Sequence, residues 1–246
     1  MAGKVIVITG ANGGLGRALA QRFAGEGEQV ILLGRSLAKV QEVASAIGAN
    51  AMAVACDVTS PTAIKAAFAK IATVHPRIDV LINNAAVFAP FVIAEASDDQ
   101  ILSGILTNLA GPVFCARSAI PMLNRGGLII NISSESVEMP FPHLLIYQST
   151  KAGLERFSKG LHLELEEQGI RVTTVRAGQM SGPGQSAVMD PEAGMRFFEA
   201  CIKRGFNPME RGISQYESTT GLFRYLIDLP ADMHLDIATI QARKPD

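Results

Sequence analysis

The chain has 246 residues, 48% of them hydrophobic, and a formal net charge of -1. That length supports one well-buried core, and the near-neutral balance excludes a generally basic surface for nucleic acid or acidic lipid. Cys56, Cys115 and Cys201 form no CxxC pair, and His75, His143, His162 and His234 form no HxxxH or HExxH, so neither a disulfide framework nor a metal site is expected.

The first apolar run, Lys4–Thr9, is rich in β-branched residues and reads as a buried strand. It is too short for a signal-peptide core, and no stretch of about 20 apolar residues follows, so a cytoplasmic chain without a membrane span is expected. The turn Gly10-Ala11-Asn12-Gly13-Gly14-Leu15-Gly16 comes next, and a helix from Arg17 to Gly25. Strand, glycine turn and helix begin a dinucleotide site: glycines admit a pyrophosphate close to backbone, and the helix N-terminus offers free N–H groups. No Lys-Ser/Thr follows, which excludes a P-loop.

A second strand, Gln29–Leu33, ends in Gly34-Arg35-Ser36. An acidic residue here would suit a ribose 2′-hydroxyl, whereas a neutral residue beside arginine suits a 2′-phosphate, so the reading leans to NADP(H). A helix is expected over Leu37–Ile47, a third strand over Ala51–Cys56 ahead of Asp57, and a helix started by Thr59-Ser60-Pro61. The fourth strand, Asp79–Ile82, runs into Asn83-Asn84-Ala85-Ala86. Ser97 caps a long helix to about Asn124 that carries Asn108 and is interrupted by Gly111-Pro112. A fifth strand, Gly126–Ile132, ends in Ser133-Ser134; a helix spans Ile146–Gln168; a sixth strand, Ile170–Val175, ends in Arg176-Ala177-Gly178. Gln179–Arg211, with Gly182-Pro183-Gly184, Met189, Met195, Phe197, Phe198, Phe206 and Met209, reads as a lid with short helices. A last helix, Thr219–Leu229, and a last strand, Leu235–Ile240, complete the pattern.

Alternating strands and helices predict a single α/β domain, a Rossmann-type doubly wound parallel sheet of about seven strands with helices on both faces. Right-handed crossovers put all strand carboxyl ends on one edge, so Gly10–Gly16, Arg35, Asp57, Asn84, Ser134 and Gly178 should line one crevice. Tyr147 and Lys151 lie four apart on one helix face. A phenol is too weak an acid for proton transfer near neutrality, and a fixed ammonium beside it favours the phenolate.

In this order the motifs Thr9-Gly10-x-x-x-Gly14-x-Gly16, Asp57, Asn83-Asn84-Ala85, Asn108, Ser134 and Tyr147-x-x-x-Lys151 resemble the short-chain dehydrogenase/reductase family over nearly the whole chain. The resemblance implies a catalytic set of Asn108, Ser134, Tyr147 and Lys151. Tyr147 would be the acid/base, Ser134 would hold the substrate oxygen, Lys151 would bond the nicotinamide ribose, and Asn108 would hold a water. Ser134 is preferred to Ser133 because it precedes Tyr147 by thirteen residues, close to the family's usual dozen. The implied cofactor set is Gly10, Asn12, Gly14, Leu15, Gly16, Arg35, Asp57, Val58, Asn84, Ala85, Tyr147, Lys151, Gly178 and Met180. Among the departures from the family's pattern, Ala86 replaces the usual glycine, Ala177 the proline, the stretch Leu235–Asp246 lacks the Gly-Gly of many tetrameric members, and Gly13 stands where many NADP-preferring members carry a basic residue.

The expected activity is NADP(H)-dependent interconversion of a carbonyl and a secondary alcohol on an apolar or bulky small molecule. A homodimer or homotetramer is implied by the resemblance, formed through the helices holding Asn108 and Tyr147. An NAD(H)-preferring alcohol dehydrogenase, an isomerase or dehydratase cycle, and a non-catalytic cofactor sensor remain as alternatives.

Overall fold

The computed structural model describes residues 3–183 and 189–244. The expected residues Gly184 and 185–188 of the lid segment lie outside that range. Seven parallel strands form one sheet in the order β3-β2-β1-β4-β5-β6-β9. These are β1 (Val5–Thr9), β2 (Gln29–Gly34), β3 (Ala51–Ala55), β4 (Ile78–Asn83), β5 (Leu123–Ser134), β6 (Arg171–Ala177) and β9 (Ile237–Ile240). The order reverses between β1 and β4, which opens a crevice at the strand carboxyl ends there.

Both faces of the sheet are covered, so its strands are apolar throughout rather than alternating. Along β1, Ile6 and Ile8 face one core with α1 (Gly14–Gly25), α2 (Leu37–Ile47) and α8 (Tyr216–Asp228). Val7 faces the other core with α3 (Pro61–Ala72), α5 (Gly111–Ala119) and α6 (Leu145–Leu165). Phe23 and Phe223, fully buried, meet between α1, α8 and the sheet. Ser60 caps α3 through Ala63 N at 3.2 Å, with Pro61 in the first turn. Ser97 and Gln100 form a reciprocal capping box on α4 (Asp98–Ile105).

Several boundaries differ from the sequence reading. Helix α1 begins at Gly14, inside the glycine turn, because positive φ at Gly10 and Gly14 folds the turn directly into the helix. Strand β5 starts at Leu123 and runs through Ser134, so both serines are strand residues. Helix α8 starts at Tyr216, not Thr219. The Asn108 helix is interrupted earlier than Gly111-Pro112: Leu106–Ala110 is a π turn between α4 and α5. Pro112 has no N–H to return to the Asn108 carbonyl four residues back, and Gly111 N reaches five residues back to Leu106 O.

Beyond Gly178, β7 (Met180–Ser181) pairs in parallel with β8 (Ser214–Gln215), and α7 (Pro191–Lys203) lies between them in the chain. Phe197 and Cys201, four apart on α7, are buried. Of the Met- and Phe-rich residues expected to form an apolar lid, Phe197 is buried, whereas Met195 is 61% and Met209 74% exposed. No helix of the described residues is long and apolar enough to cross a membrane.

Candidate active site

Strand alternation separates the two serines at the end of β5. Ser133 turns towards α6, where its hydroxyl donates to Glu155 Oε1 at 2.8 Å. Glu155 is in turn held by Arg176 Nε at 2.8 Å and Nη2 at 2.7 Å. Ser134 turns the other way, accepts from Ser136 N at 3.1 Å, and meets the Tyr147 phenol. Ser134 is thus the serine beside the tyrosine, and Ser133 belongs to a buried ion-pair network behind it.

Helix α6 sets Tyr147 and Lys151 one turn apart. Lys151 is 3% exposed; its Nζ donates to Ile132 O at 2.7 Å and lies 5.7 Å from the Tyr147 ring centroid. Burial pulls the ammonium down to a pKa of about 8. Burial also pushes the Tyr147 phenol up; the Ser134 hydrogen bond pulls it down and the Glu135 carboxylate pushes it up. Desolvation therefore opposes the lowering expected from Lys151, and the phenol is held in its proton-donating form.

Asn108 is buried on the π turn, and both ends of its side-chain amide bond the Val87 backbone. Oδ1 accepts from Val87 N at 2.9 Å and Nδ2 donates to Val87 O at 2.9 Å. The amide pins the segment after β4 to the π turn. A water-holding role would fall to its main-chain carbonyl.

The glycine turn is tied to β4 rather than left as an isolated loop. Asn84 Nδ2 donates to Thr9 O at 2.9 Å and Gly10 O at 3.2 Å. Thr9 Oγ1 accepts from Asn84 N and Ala85 N, both at 3.0 Å. A Cβ on Gly16 would stand 2.6 Å from both Asn84 Nδ2 and Gly10 O, so glycine is required there by space. Asn84 thus shapes the turn with its side chain. Val58 is buried, and Asp57 accepts from Thr59 N at 2.9 Å and Thr59 Oγ1 at 2.8 Å through Oδ1. Asn12 lies beside Gly34, with Oδ1 3.4 Å from where a Cβ there would sit, and Leu15 packs into the core. Arg35 is exposed at the end of β2 and makes no ion pair among the described residues. Gly178 N donates to Ile240 O at 2.8 Å, and a Cβ on Gly178 would meet that oxygen at 2.8 Å. Met180 opens β7 just beyond it. Ala86 is exposed, so its methyl meets no tight backbone.

These residues fit a phosphate-bearing dinucleotide. Gly13 caps α1 without a side-chain hydrogen bond, and the first turn holds no acidic residue. The helix N-terminus therefore keeps donors and partial positive charge for an anion. The end of β2 carries a cation and no carboxylate.

Other residues at the site carry no motif. Phe88 packs edge-on against Tyr147 with centroids 5.1 Å apart, and Phe141, Phe197 and Phe206 continue that aromatic wall. Gln148 Nε2 donates to Ser136 O at 2.7 Å and to Met139 O, fixing the loop after Ser134. Arg211 clamps Glu135 on both oxygens. Beside that pair lies a polar cavity of about 350 Å³, lined by Glu135, Gln179, Asn207, Glu210, Arg211 and Lys244 among others. Tyr147 does not line it. The helical spacing of Phe197 and Cys201 was a readable signal for the wall; the Arg211–Glu135 contact, 76 positions apart, left none.

The model of the short chain dehydrogenase family matches residues 4–192. A serine 3-dehydrogenase from Rhizobium radiobacter is 36% identical over 177 residues, 70% of this chain and 70% of its own length. The 3beta-hydroxysteroid dehydrogenase 1 of Eggerthella lenta is 36% identical over 200 residues, 78% of this chain and 76% of its own. The crystal structure of L-sorbose reductase from Gluconobacter frateurii, complexed with NADPH and L-sorbose, superposes with a TM-score of 0.83 at 26% identity. That match covers 98% of this chain and 96% of the reductase. The chain belongs to the short chain dehydrogenase family of nicotinamide-dependent oxidoreductases.

Proposed function

We propose that the chain is an NADP(H)-dependent oxidoreductase that interconverts a carbonyl and a secondary alcohol on a small molecule with an apolar or bulky body. The observation that carries this reading is the aromatic wall around the Tyr147–Ser134 pair: Phe88 sits against the phenol itself, and Phe141, Phe197 and Phe206 extend the apolar surface. A bound nicotinamide supplies the hydride in reduction and takes it up in oxidation. Tyr147 gives its proton to the carbonyl oxygen as that oxygen gains charge, and Ser134 donates a hydrogen bond to the same oxygen. Lys151 would bond the nicotinamide ribose, and its positive charge stabilises the phenolate left behind. Asn108 keeps the Val87 segment and its neighbour Phe88 in place through the two bonds to Val87.

Residues 179–211 are the lid of this reading, supported by Phe197 and Phe206, which join the aromatic wall. The relatives named above act on compounds as different as serine and a steroid, so family membership leaves the substrate open. One feature favours an uncharged compound. Arg176 and Arg211, the arginines nearest the end of β5, are each held by carboxylates. A free acid group would have to break one of those pairs. Exposed Leu102, Ile105, Leu145 and Leu163 on α4 and α6 support self-association through these helices.

The preference for NADP(H) rests on Arg35 and on the lack of an acidic residue at the end of β2. It is tested by fluorescence titration of NADPH and NADH against wild type and Arg35→Ala. The chain has no tryptophan, so cofactor emission is read without overlap. NADPH should bind about 10-fold or more weakly to the variant, with NADH little changed. Equal or tighter NADH binding by wild type would overturn the preference. A screen of NADPH consumption should favour cyclic and aryl ketones over 3-oxo acids.

A further inference from the structure

Tyr216 stands where the substrate lid meets the glycine turn. It is the first residue of α8 and directly follows β8, which pairs with β7 just beyond Gly178. That pairing fixes the root of the lid beside the crevice and delivers the ring to the N-terminus of α1. A Cβ on Gly14 would lie 3.5 Å from both Cζ and the hydroxyl oxygen of Tyr216. On the other side, a Cβ on Gly182 would come within 2.9 Å of its Cδ2. The ring therefore fills the gap between the first residue of α1 and the first glycine of the lid. Both glycines have positive φ, +52° and +153°, so neither position readily takes a side chain that would displace the ring.

The ring body packs against the core shared by α1 and α8, while the hydroxyl end lies at the turn. Among the described residues the hydroxyl has no hydrogen-bond partner, although it is not sealed from solvent. Burial and the neighbouring Glu217 push the phenol up, so it is a proton-bearing donor at neutral pH. The first turn of α1 beneath it has no capping side chain and no acid. A donor over an uncapped helix N-terminus, held by a rigid ring, matches an anion at that spot.

We propose that Tyr216 is a cofactor ligand: its hydroxyl donates to a pyrophosphate oxygen seated on the N-terminus of α1, and its ring closes the phosphate site from the lid side. This rests on the dinucleotide reading given above. It also couples the two halves of the site, because the residue that grips the phosphate is fixed by the strand pair that roots the lid.

The test compares NADPH with adenosine 2′-phosphate, which lacks the pyrophosphate, on wild type and Tyr216→Phe. Phenylalanine keeps the ring and its packing and removes only the donor, and thermal melting of the two proteins should coincide. NADPH affinity should fall about 10-fold, the usual size for one hydrogen bond to a charged group, with the inhibition constant of adenosine 2′-phosphate against NADPH unchanged. Wild-type affinity for NADPH in Tyr216→Phe would overturn the role of the hydroxyl alone. Equal losses for both ligands would also overturn it, by showing a general change in the site. A wild type that binds neither NADPH nor NADH would overturn the dinucleotide reading and this role with it.

Discussion

Arg211 holds Glu135 on both carboxylate oxygens, with Nη1 to Oε1 at 2.6 Å and Nη2 to Oε2 at 2.5 Å, and Glu135 is the residue that follows Ser134. The guanidinium also lies near the Phe141 and Phe206 rings, 5.9 and 5.7 Å from their centroids. A carboxylate with 7% side-chain exposure is thereby held next to Ser134 and paired with a guanidinium 76 positions away. Its charge raises the Tyr147 pKa. Glu135→Gln removes that repulsion, so the acid limb of alcohol oxidation, where activity rises as the phenolate forms, should move to lower pH. The pH dependence of kcat/KM checks this; a limb moved to higher pH would contradict it.

Removing the cation instead should cost stability. Arg211→Met leaves Glu135 buried with, among the described residues, only the Gln241 Nε2 donor left to its side chain, at 3.1 Å. Loss of one partner of such a pair, here partly open to solvent, costs about 2–4 kcal/mol. The double variant Arg211→Met/Glu135→Gln should regain most of that, because no uncompensated charge remains. Urea unfolding of the three proteins measures it, and a double variant no more stable than Arg211→Met would count against the pairing.

Lys151 represents a stability cost accepted by the site. Its pKa falls from 10.5 to about 8 on burial, so the folded chain holds the ammonium less well than the unfolded chain does. Lys151→Met should therefore stabilise the fold by about 3 kcal/mol at pH 7 while turnover is lost. The gain should be full below about pH 8 and fade as pH approaches 10.5, where the wild-type lysine folds uncharged. Denaturant midpoints across pH test the sign.

A second titration lies at the opposite end of the sheet. His162 and His234 stack with centroids 3.7 Å apart, and burial, opposed by Asp236, lowers the His234 pKa from 6.5. The unfolded chain then takes up a proton that folded His234 resists. Stability from this group is complete above about pH 6.5 and declines as pH falls through the depressed folded value. His234→Phe should flatten the acid side of a melting-temperature profile. An unchanged acid slope would exclude His234 as its source.

Much of the architecture was legible in the sequence because it is local. The strands are short apolar runs, and the caps at Ser60 and Ser97 announce their helices. The glycine turn and the Tyr147–Lys151 spacing each encode their own geometry. What could not be read depends on distant partners. Nothing in Asn84 shows that its amide is spent on Thr9 and Gly10, or in Asn108 that Val87 takes both ends of its side chain. Tyr216 meets Gly14 across some 200 positions because α8 packs on α1. Composition names a Met- and Phe-rich apolar segment but not which face of α7 is buried, and the structure turns Phe197 in and Met195 out.

The central claim is that Tyr147 moves the proton. With a ketone that wild type reduces, the most direct measurement is single-turnover NADPH oxidation by Tyr147→Phe, alongside its NADPH affinity. The account predicts a loss of at least about 100-fold in the reduction step with cofactor affinity retained, because general acid catalysis contributes about 10²–10⁴-fold. Reduction at the wild-type rate with NADPH bound as tightly would contradict it and move proton transfer to another group.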